Sequence, residues 1–253
     1  RRSPNPILPL HLFRDRLFVV TLLHGMLAGW AMFGSLNYVP LFVQGVLGTG
    51  ATEAGIALTP MSLAWTVASV VGAQLLMRVG YRSMTLVGMV MLSAGAFLMT
   101  RINPQTSVVT VMIFTGLMGL GMGFSVPAFL IAVQSKVPRK DMGSATSTVQ
   151  FSRSIGGTIG VSVLGVALTA RLASALTRAG IDPATVSLSR LIDPVAAGNA
   201  VLDGSVRGAL GESIAFLFVI SFAAALLGLI VVLFAPSGSI RELEQQREAG
   251  QNA

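Results

Sequence analysis

The sequence predicts an all-α membrane protein with six transmembrane helices, and two observations support this prediction. Of the 253 residues, 53% are hydrophobic and only 11% are charged, whereas a soluble domain carries about 25% charged residues. The charges are also spaced so that six uncharged runs remain, at 17–52, 54–77, 83–100, 102–135, 154–170 and 213–240. Each run reaches the roughly 17–25 residues that cross a bilayer, longer than most soluble helices. The class of soluble globular proteins is therefore excluded.

The charge pattern divides the chain into three parts. Residues 1–16 are predicted to be a cytoplasmic lead-in, residues 17–236 the six-helix bundle, and residues 237–253 a charged cytoplasmic tail. Within the bundle, residues 171–211 are predicted to form the one long external loop. This loop is either a partly ordered connector or a lid, with a short amphipathic surface helix at 186–191.

Basic residues predict the orientation in the membrane. With a cytoplasmic N-terminus, eleven of the 17 Lys and Arg residues lie on the cytoplasmic side, five lie outside, and Arg153 lies within a span. Because Lys and Arg are enriched in cytoplasmic loops, both ends of the chain are predicted to be cytoplasmic. The same scatter among short loops argues against a nucleic-acid partner. The chain starts at Arg1 without a Met or a signal-peptide pattern, so we expect this residue to lie inside a longer protein.

The first run, 17–52, carries a polar stripe. Trp30, Asn37 and Gln44 are seven residues apart and share a helical face, flanked by Tyr38. Aromatic surface with a few amide groups suits a cavity for small lipophilic or cationic compounds. Polar contacts between packed helices would use the same residues, so both interpretations stay open.

The second, third and fourth runs complete a set of tightly packed, kinked helices. Close helix approach is predicted by three Gly-x-x-x-Gly pairs, in the first, fourth and fifth helices: Gly25 and Gly29, Gly119 and Gly123, and Gly156 and Gly160. Prolines at 40, 60 and 127 fall within spans, where a membrane helix tolerates kinks. Kinked, glycine-rich helices suit a transporter, and ordinary packing explains them as well.

The fifth run follows the one charge that is predicted to be embedded. If the fifth helix starts near Asp141, Arg153 lies about 18 Å along it, too far for an ion pair with that residue. Gln150 and Arg153 belong to a polar stripe that runs into Gly157, which predicts a helix contact or a cavity rather than lipid. Arg153 either extends to the cytoplasmic interface or meets a partner outside this chain.

The sixth run, 213–240, completes a membrane zone without a carboxylate. All ten acidic residues lie in loops, tails or helix ends, so any proton-titrating group at mid-membrane would belong to another part of the protein. The chain has no cysteine and only His11 and His24, so neither a metal site nor a cofactor is expected. An intramembrane serine hydrolase would need Ser125 beside a histidine, and this pairing is disfavoured.

Several stretches, in this order and spacing, resemble one transporter family. They are Pro9-Leu10 through Phe18, Tyr38-Val39-Pro40-Leu41 with Gln44, Ala54-Gly55 to Thr59-Pro60, Gly119-Leu120-Gly121-Met122-Gly123, Val137-Pro138, Gly143-Ser144-Ala145, and Arg153 with Gly156, Gly157 and Gly160. The chain resembles the C-terminal half of a major facilitator superfamily transporter, in the fourteen-helix drug:proton antiporter (EmrB/QacA-like) branch. The resemblance covers nearly the whole chain.

The cytoplasmic loop motif of that family is present in altered form. Arg78, Gly80 and Arg82 match its basic and glycine positions, whereas Met77 stands where an Asp is expected. The charge-relay role of that Asp is therefore not expected in this chain. The glycine-proline motif of the antiporters and the embedded proton-carrying acid belong to the other half.

The resemblance implies a fold, a function and partners. The fold is two inverted three-helix repeats, in which the first and fourth helices line the cavity and the second and fifth contact the missing N-terminal half. The function is proton-coupled efflux of a small lipophilic or cationic substrate across the cell membrane, without enzymatic activity. The alternative is a self-contained six-helix membrane scaffold or a homo-oligomeric channel.

Overall fold

The computed structural model describes residues 10–183 and 204–251, and within them all regular structure is helical. The helices are α1 (Arg16–Leu41), α2 (Ala51–Val79), α3 (Tyr81–Met99), α4 (Val108–Lys136), α5 (Met142–Arg178), α6 (Gly204–Leu233) and α7 (Ile240–Gln251). Helices α1 to α6 are long and apolar enough to cross a bilayer, which confirms the six predicted spans. The surface helix predicted at 186–191 lies outside the described residues.

Local sequence signals define the ends of these helices. Asp15 is the N-cap of α1 and accepts hydrogen bonds from the backbone N–H groups of Leu17 (2.9 Å) and Phe18 (3.2 Å). Ser107 caps α4 in the same way. Gly80 ends α2 and begins α3 with a φ of +83°, a conformation that glycine adopts without strain. A single residue can therefore connect two transmembrane helices.

The six long helices pack as two equivalent sets of three. Helix α1 packs mainly on α5 and α6, α4 packs mainly on α2 and α3, and α3 contacts α6. Exchanging α1 with α4, α2 with α5 and α3 with α6 converts the contacts of α1 into those of α4 and leaves the α3–α6 contact unchanged. The chain crosses the membrane three times in α1–α3, so α4 starts from the side opposite to the start of α1. Helices α4–α6 are therefore inverted relative to α1–α3. This packing agrees with the predicted inverted repeats.

The glycine pairs lie where the paired helices cross. Gly156 faces the backbone of Met26 on α1, and Gly119 faces the backbone of Met61 on α2. A Cβ atom at either glycine would lie within 3 Å of backbone atoms of the neighbouring helix. The prediction of close helix contacts is therefore confirmed, at the α1–α5 crossing and at the α2–α4 crossing.

A π-helical turn follows α1. Pro40 lies inside α1 close to its end, and the π-helical turn, Phe42–Val46, begins two residues later. Proline lacks the N–H that would bond the carbonyl four residues earlier, so α1 loses one backbone hydrogen bond at Leu36. Pro60 and Pro127 also lie inside helices, as expected.

The fifth span is longer than its uncharged run predicts. Helix α5 continues to Arg178, so the segment expected to begin an external loop at residue 171 is helical. Likewise α6 already begins at Gly204. Arg178 lies 3.1 Å from the Glu212 carboxylate and Arg171 lies 3.9 Å from it. These pairs join α5 to α6, and the charges that ended the uncharged run are thus accommodated within helices.

The two ends of the described chain dock on the same end of the bundle. Asp15 forms an ion pair with Lys136 at the C-terminus of α4, and His11 lies 3.3 Å from Asp141. The tail is not only a solvated end, because residues 240–251 form α7. Its Leu243 is buried, since α7 packs on α4.

Candidate functional site

The candidate site is the open face of the bundle, formed by α2, α5 and the exposed side of α1. In the most apolar 18-residue stretch of α2 only 22% of the residues are buried, and in α5 33%, against 56% in α1 and α4. Helices α2 and α5 therefore expose the most surface, and α1 and α4 form the centre of the bundle. The predicted site residues of α1 and α5 lie on or beside this open face, and those of the loop motif do not.

Arg153 is positioned by the α1–α5 crossing. Ser152 donates a hydrogen bond to the Leu22 carbonyl of α1 at 2.7 Å. Gly25 and Gly29 of α1 leave the space for Arg153, since a Cβ atom at Gly29 would lie 3.0 Å from Arg153 Cγ. The start of the side chain is thus held against α1, and the guanidinium group extends from this contact.

The guanidinium group extends toward the middle of α2. Its central carbon lies 6.0 Å from the centre of the Trp65 ring, a distance at which a cation and an aromatic face attract each other. Trp65 lies midway along Ala51–Val79, about 21 Å from either end of α2. The Arg153 guanidinium therefore lies beside the middle of α2.

Trp65 is a site residue that the sequence reasoning missed. Only two tryptophans occur in the chain, and both flank this face. The indole Nε1 of Trp30 is buried without a hydrogen-bond partner among the described residues. Tryptophan usually lies at the membrane interfaces, so a tryptophan in the middle of a span was the available signal.

The polar stripe of α1 is only partly open. Asn37 is exposed and donates from Nδ2 to the Phe33 carbonyl at 2.8 Å, which leaves its side-chain oxygen free to accept. Trp30 is half-buried against Gly160. Gln44 is half-buried and lies in the π-helical turn, where the seven-residue spacing no longer aligns it with Asn37. Asn37 is therefore the most accessible member of the stripe.

Tyr38 does not face open space. Its side chain is 8% exposed, and its hydroxyl donates to the Val161 carbonyl of α5 at 3.0 Å. This bond fastens α1 to α5 and satisfies the only polar group of the side chain. The structure thus gives Tyr38 a packing role in place of the predicted role in a substrate cavity.

Hydroxyl groups line the open faces of α2 and α5. On α5, Thr158 donates to the Ser154 carbonyl at 3.0 Å and Ser162 donates to the Thr158 carbonyl at 2.9 Å. On α2, Thr66 donates to the Ser62 carbonyl at 2.9 Å. Each of these hydroxyl groups donates its proton to a backbone carbonyl of its own helix. The hydroxyl oxygens therefore remain available as hydrogen-bond acceptors on the open face. Gln150, one turn before Arg153, is also exposed.

The residues of the loop motif lie at the C-terminal end of α2 and at the start of α3. Arg82 donates from Nη2 to the Leu233 carbonyl at the end of α6, at 2.8 Å. Gly80 forms the turn between α2 and α3, and Arg78 is exposed. The motif therefore holds the ends of α2, α3 and α6 together, and it is remote from Arg153.

The residues required for an intramembrane hydrolase are not brought together by a hydrogen bond. Ser125 Oγ and His24 Nε2 are both buried, and neither has a hydrogen-bond partner among the described residues. The His24 ring packs edge-on against Phe129, 5.0 Å away, and Ser125 packs against Gly88 of α3. In the part of the chain that the structure describes, no cluster of His, Asp or Glu side chains could hold a metal ion.

Comparison with known proteins agrees with this architecture. Residues 1–161 match the family model described as Major Facilitator Superfamily. The "Multidrug transporter protein MdtP" of Bacillus subtilis (strain 168) is 36% identical over 176 residues, which are 70% of this chain and 32% of that protein. The "Multidrug resistance protein 3" of the same organism is 26% identical over 95% of this chain and 49% of its own length. The chain thus spans half or less of these relatives.

A further relative and a solved structure are also similar to this chain. The "Multidrug resistance protein Stp" of Mycobacterium tuberculosis is 32% identical over 70% of this chain and 33% of its own length. The crystal structure of a bacterial homologue of the human lysosomal transporter Spinster, inward-facing and unoccupied, aligns with a TM-score of 0.74 and 14% identity. The alignment covers 98% of this chain and 53% of that protein, and it supports the fold alone.

Proposed function

The chain belongs to the Major Facilitator Superfamily, and from this premise we propose that it is the C-terminal half of a proton-coupled efflux transporter. Its six membrane-competent helices make it a multi-pass membrane protein, and curated relatives are named multidrug transporters. The proposed cargo is a small lipophilic or cationic compound, moved by alternating access. The proposed location is the cell membrane, with both ends of the chain in the cytoplasm.

The observation that carries the proposal is the charge at the middle of the open face. Arg153 is half-buried beside Trp65, midway along α2, and among the described residues no ion pair includes it. An arginine at the bilayer centre costs at least about 2.5–3.5 kcal/mol when it is unpaired. The site is therefore incomplete alone, and a second bundle against α2 and α5 would supply the missing acceptor.

The distribution of acidic groups supports the proposed division of labour. Among the described carboxylates in ion pairs, Asp15 and Asp141 lie at helix ends. Glu212 lies about two turns inside α6, where it pairs with arginines of α5. A proton carrier requires a titrating group that alternates between the two sides of the membrane. In our proposal that acid lies in the missing N-terminal half, and Arg153 interacts with it or with the substrate.

The wall of the proposed cavity combines aromatic surface with hydrogen-bond acceptors. Asn37 presents its side-chain oxygen, and Trp30 and Trp65 present aromatic surface at similar depth. The hydroxyl stripes of α2 and α5 add further acceptors. Acceptors and aromatic faces suit a lipophilic cation better than an anion, and Gln44 would line the external end of the same wall.

The experiment is efflux of a lipophilic cationic dye from cells that express the full-length protein as encoded. We expect Arg153→Ala to reduce efflux by more than about tenfold, because truncating one partner of a buried charge pair costs about 2–5 kcal/mol. Asn37→Ala should reduce efflux less, and in a substrate-dependent way. The control is Arg139→Ala, which removes an exposed charge from the loop before α5.

The outcomes separate the proposal from its rival. Normal efflux in both Arg153→Ala and Asn37→Ala, at equal amounts of protein in the membrane, would refute the site assignment. No efflux by the wild-type protein for any lipophilic cation would favour the membrane scaffold or channel. Dye efflux that persists when the proton gradient is collapsed would refute the proposed proton coupling and leave the rest of the proposal standing.

A further inference from the structure

A groove of about 470 Å³ opens at the end of the bundle that carries the loop motif. It lies between the α2–α3 turn and the link from α6 to α7. Its polar side chains are Arg78, Arg82, Ser83, Ser237, Ser239 and Glu242. The efflux mechanism proposed above does not use this groove, because Arg153 and the open face are remote from it.

The two arginines of the groove keep unused donors. Arg82 donates from Nη2 to the Leu233 carbonyl, and its Nε is buried without a hydrogen-bond partner among the described residues. Arg78 is exposed, and the structure gives it no ion pair or hydrogen bond within the described residues. The Glu242 carboxylate already accepts a bond from the Ser239 N–H at 3.1 Å. The groove therefore has an excess of one positive charge and several free N–H donors.

The surroundings of the groove are apolar on the side of the membrane. Helices α3 and α6 pack together. Near the groove the exposed apolar side chains are Val87 of α3 (51%), Leu233 of α6 (52%), Phe234 just after α6 (58%) and Val79 at the end of α2 (49%). The basic recess thus lies beside a strip of apolar surface at the ends of the membrane-competent helices.

We propose that this groove binds an anionic phospholipid, with the phosphate between Arg78 and Arg82 and the acyl chains along α3 and α6. Arginine donates to phosphate oxygens through its planar N–H groups, and the Ser83 and Ser239 hydroxyls add neutral donors. A basic pocket beside transmembrane helices at the cytoplasmic side suits such head groups. With the orientation proposed above, the lipid belongs to the cytoplasmic leaflet.

The apolar strip distinguishes a lipid from a free anion. Inorganic phosphate or a soluble phosphate ester could contact the arginines, yet it has no acyl chains that would extend along the apolar strip. A phospholipid satisfies both parts of the surface with one molecule. Binding would also fasten the α2–α3 turn to the end of α6, since Arg82 already contacts Leu233.

The test is native mass spectrometry of the full-length protein, purified in detergent and titrated with phosphatidylglycerol or phosphatidylcholine. We expect Arg78→Ala to weaken phosphatidylglycerol binding about fivefold, the contribution of one basic residue near an anionic lipid. The matched control Arg139→Ala removes a charge from a different loop at the same end of the bundle, and should leave binding unchanged. Phosphatidylcholine should bind more weakly than phosphatidylglycerol to the wild-type protein.

A second variant guards against loss of folding. Glu242→Gln removes the negative charge of the groove, and glutamine can keep the reciprocal cap of α7 that Glu242 makes with Ser239. We expect it to tighten phosphatidylglycerol binding by about two- to fivefold. Equal losses in Arg78→Ala and Arg139→Ala would overturn the site. Binding of inorganic phosphate at millimolar concentration that is stronger than binding of phosphatidylglycerol would overturn the lipid assignment.

Discussion

Replacing Gly156 by alanine is the sharpest test of how α1 and α5 are packed. A Cβ atom at this position would lie 2.6 Å from the Cα and carbonyl carbon of Met26 and still closer to its oxygen. All three are backbone atoms, so no side-chain rotation relieves the overlap. Helix α5 must move away from α1 along the crossing that also positions Arg153.

The magnitude follows from the cost of overpacking. An inserted methyl group in a well-packed core costs about 1–3 kcal/mol. At about 2–4 °C per kcal/mol for a chain of this size, Gly156→Ala should lower the melting temperature by about 2–12 °C. Because Arg153 lies one turn away on α5, dye efflux should fall as well.

The assay is thermal unfolding of the full-length protein in detergent. Samples are heated to a series of temperatures, and the folded protein that remains is measured by size-exclusion chromatography. The matched control is Gly55→Ala in α2, where a Cβ atom would meet nothing within 4 Å. Alanine is favoured over glycine in a helix by about 0.5–1 kcal/mol, so this variant should be as stable as the wild type or more so. A Gly156→Ala protein as stable as Gly55→Ala would refute the close crossing of α1 and α5.

Three further predictions concern the helix end, the buried tyrosine and the topology. Asp15→Ala should destabilise the protein more than Lys136→Ala, because Asp15 also caps α1: the cap is worth about 1 kcal/mol, and a partly exposed ion pair alone at most about 1 kcal/mol. Tyr38→Phe should lower thermal stability by about 0.5–1.5 kcal/mol and leave substrate preference unchanged. Since the chain has no cysteine, an impermeant maleimide added to intact cells that carry an otherwise cysteine-free protein should label Gln105→Cys and not Ser239→Cys.

Each of these predictions has a clear contradicting result. Equal melting temperatures for Asp15→Ala and Lys136→Ala would mean that the cap of α1 contributes nothing. A changed dye preference in Tyr38→Phe would return Tyr38 to the substrate cavity. Labelling of Ser239→Cys from outside, with Gln105→Cys protected, would invert the proposed orientation.

The sequence predicts the helices of this chain well, because the requirement for uncharged spans is strict in a bilayer. The end of α5 and the start of α6 are the exceptions. Arg171 ended the uncharged run, yet both it and Arg178 lie in α5, where Glu212 of α6 is near them. A contact between helices distant in sequence cannot be read from the length of a run.

The candidate site was harder to predict, since it depends on contacts between distant residues. Helical spacing placed Asn37 on an open face correctly. The same spacing could not show that the Tyr38 hydroxyl meets the Val161 carbonyl, 123 residues away, or that Trp65 lies under the Arg153 guanidinium. Polar residues on one face of a single helix have no known partner until the crossing of the helices is known.

The most direct test of the proposed function is transport by the full-length protein reconstituted in proteoliposomes with an imposed pH gradient. The account predicts that the gradient drives a lipophilic cationic dye against its own concentration gradient, that protons move in the opposite direction, and that Arg153→Ala abolishes both fluxes while Arg139→Ala preserves them. Dye movement that is indifferent to the pH gradient, or that is equal in Arg153→Ala and wild type, would contradict it.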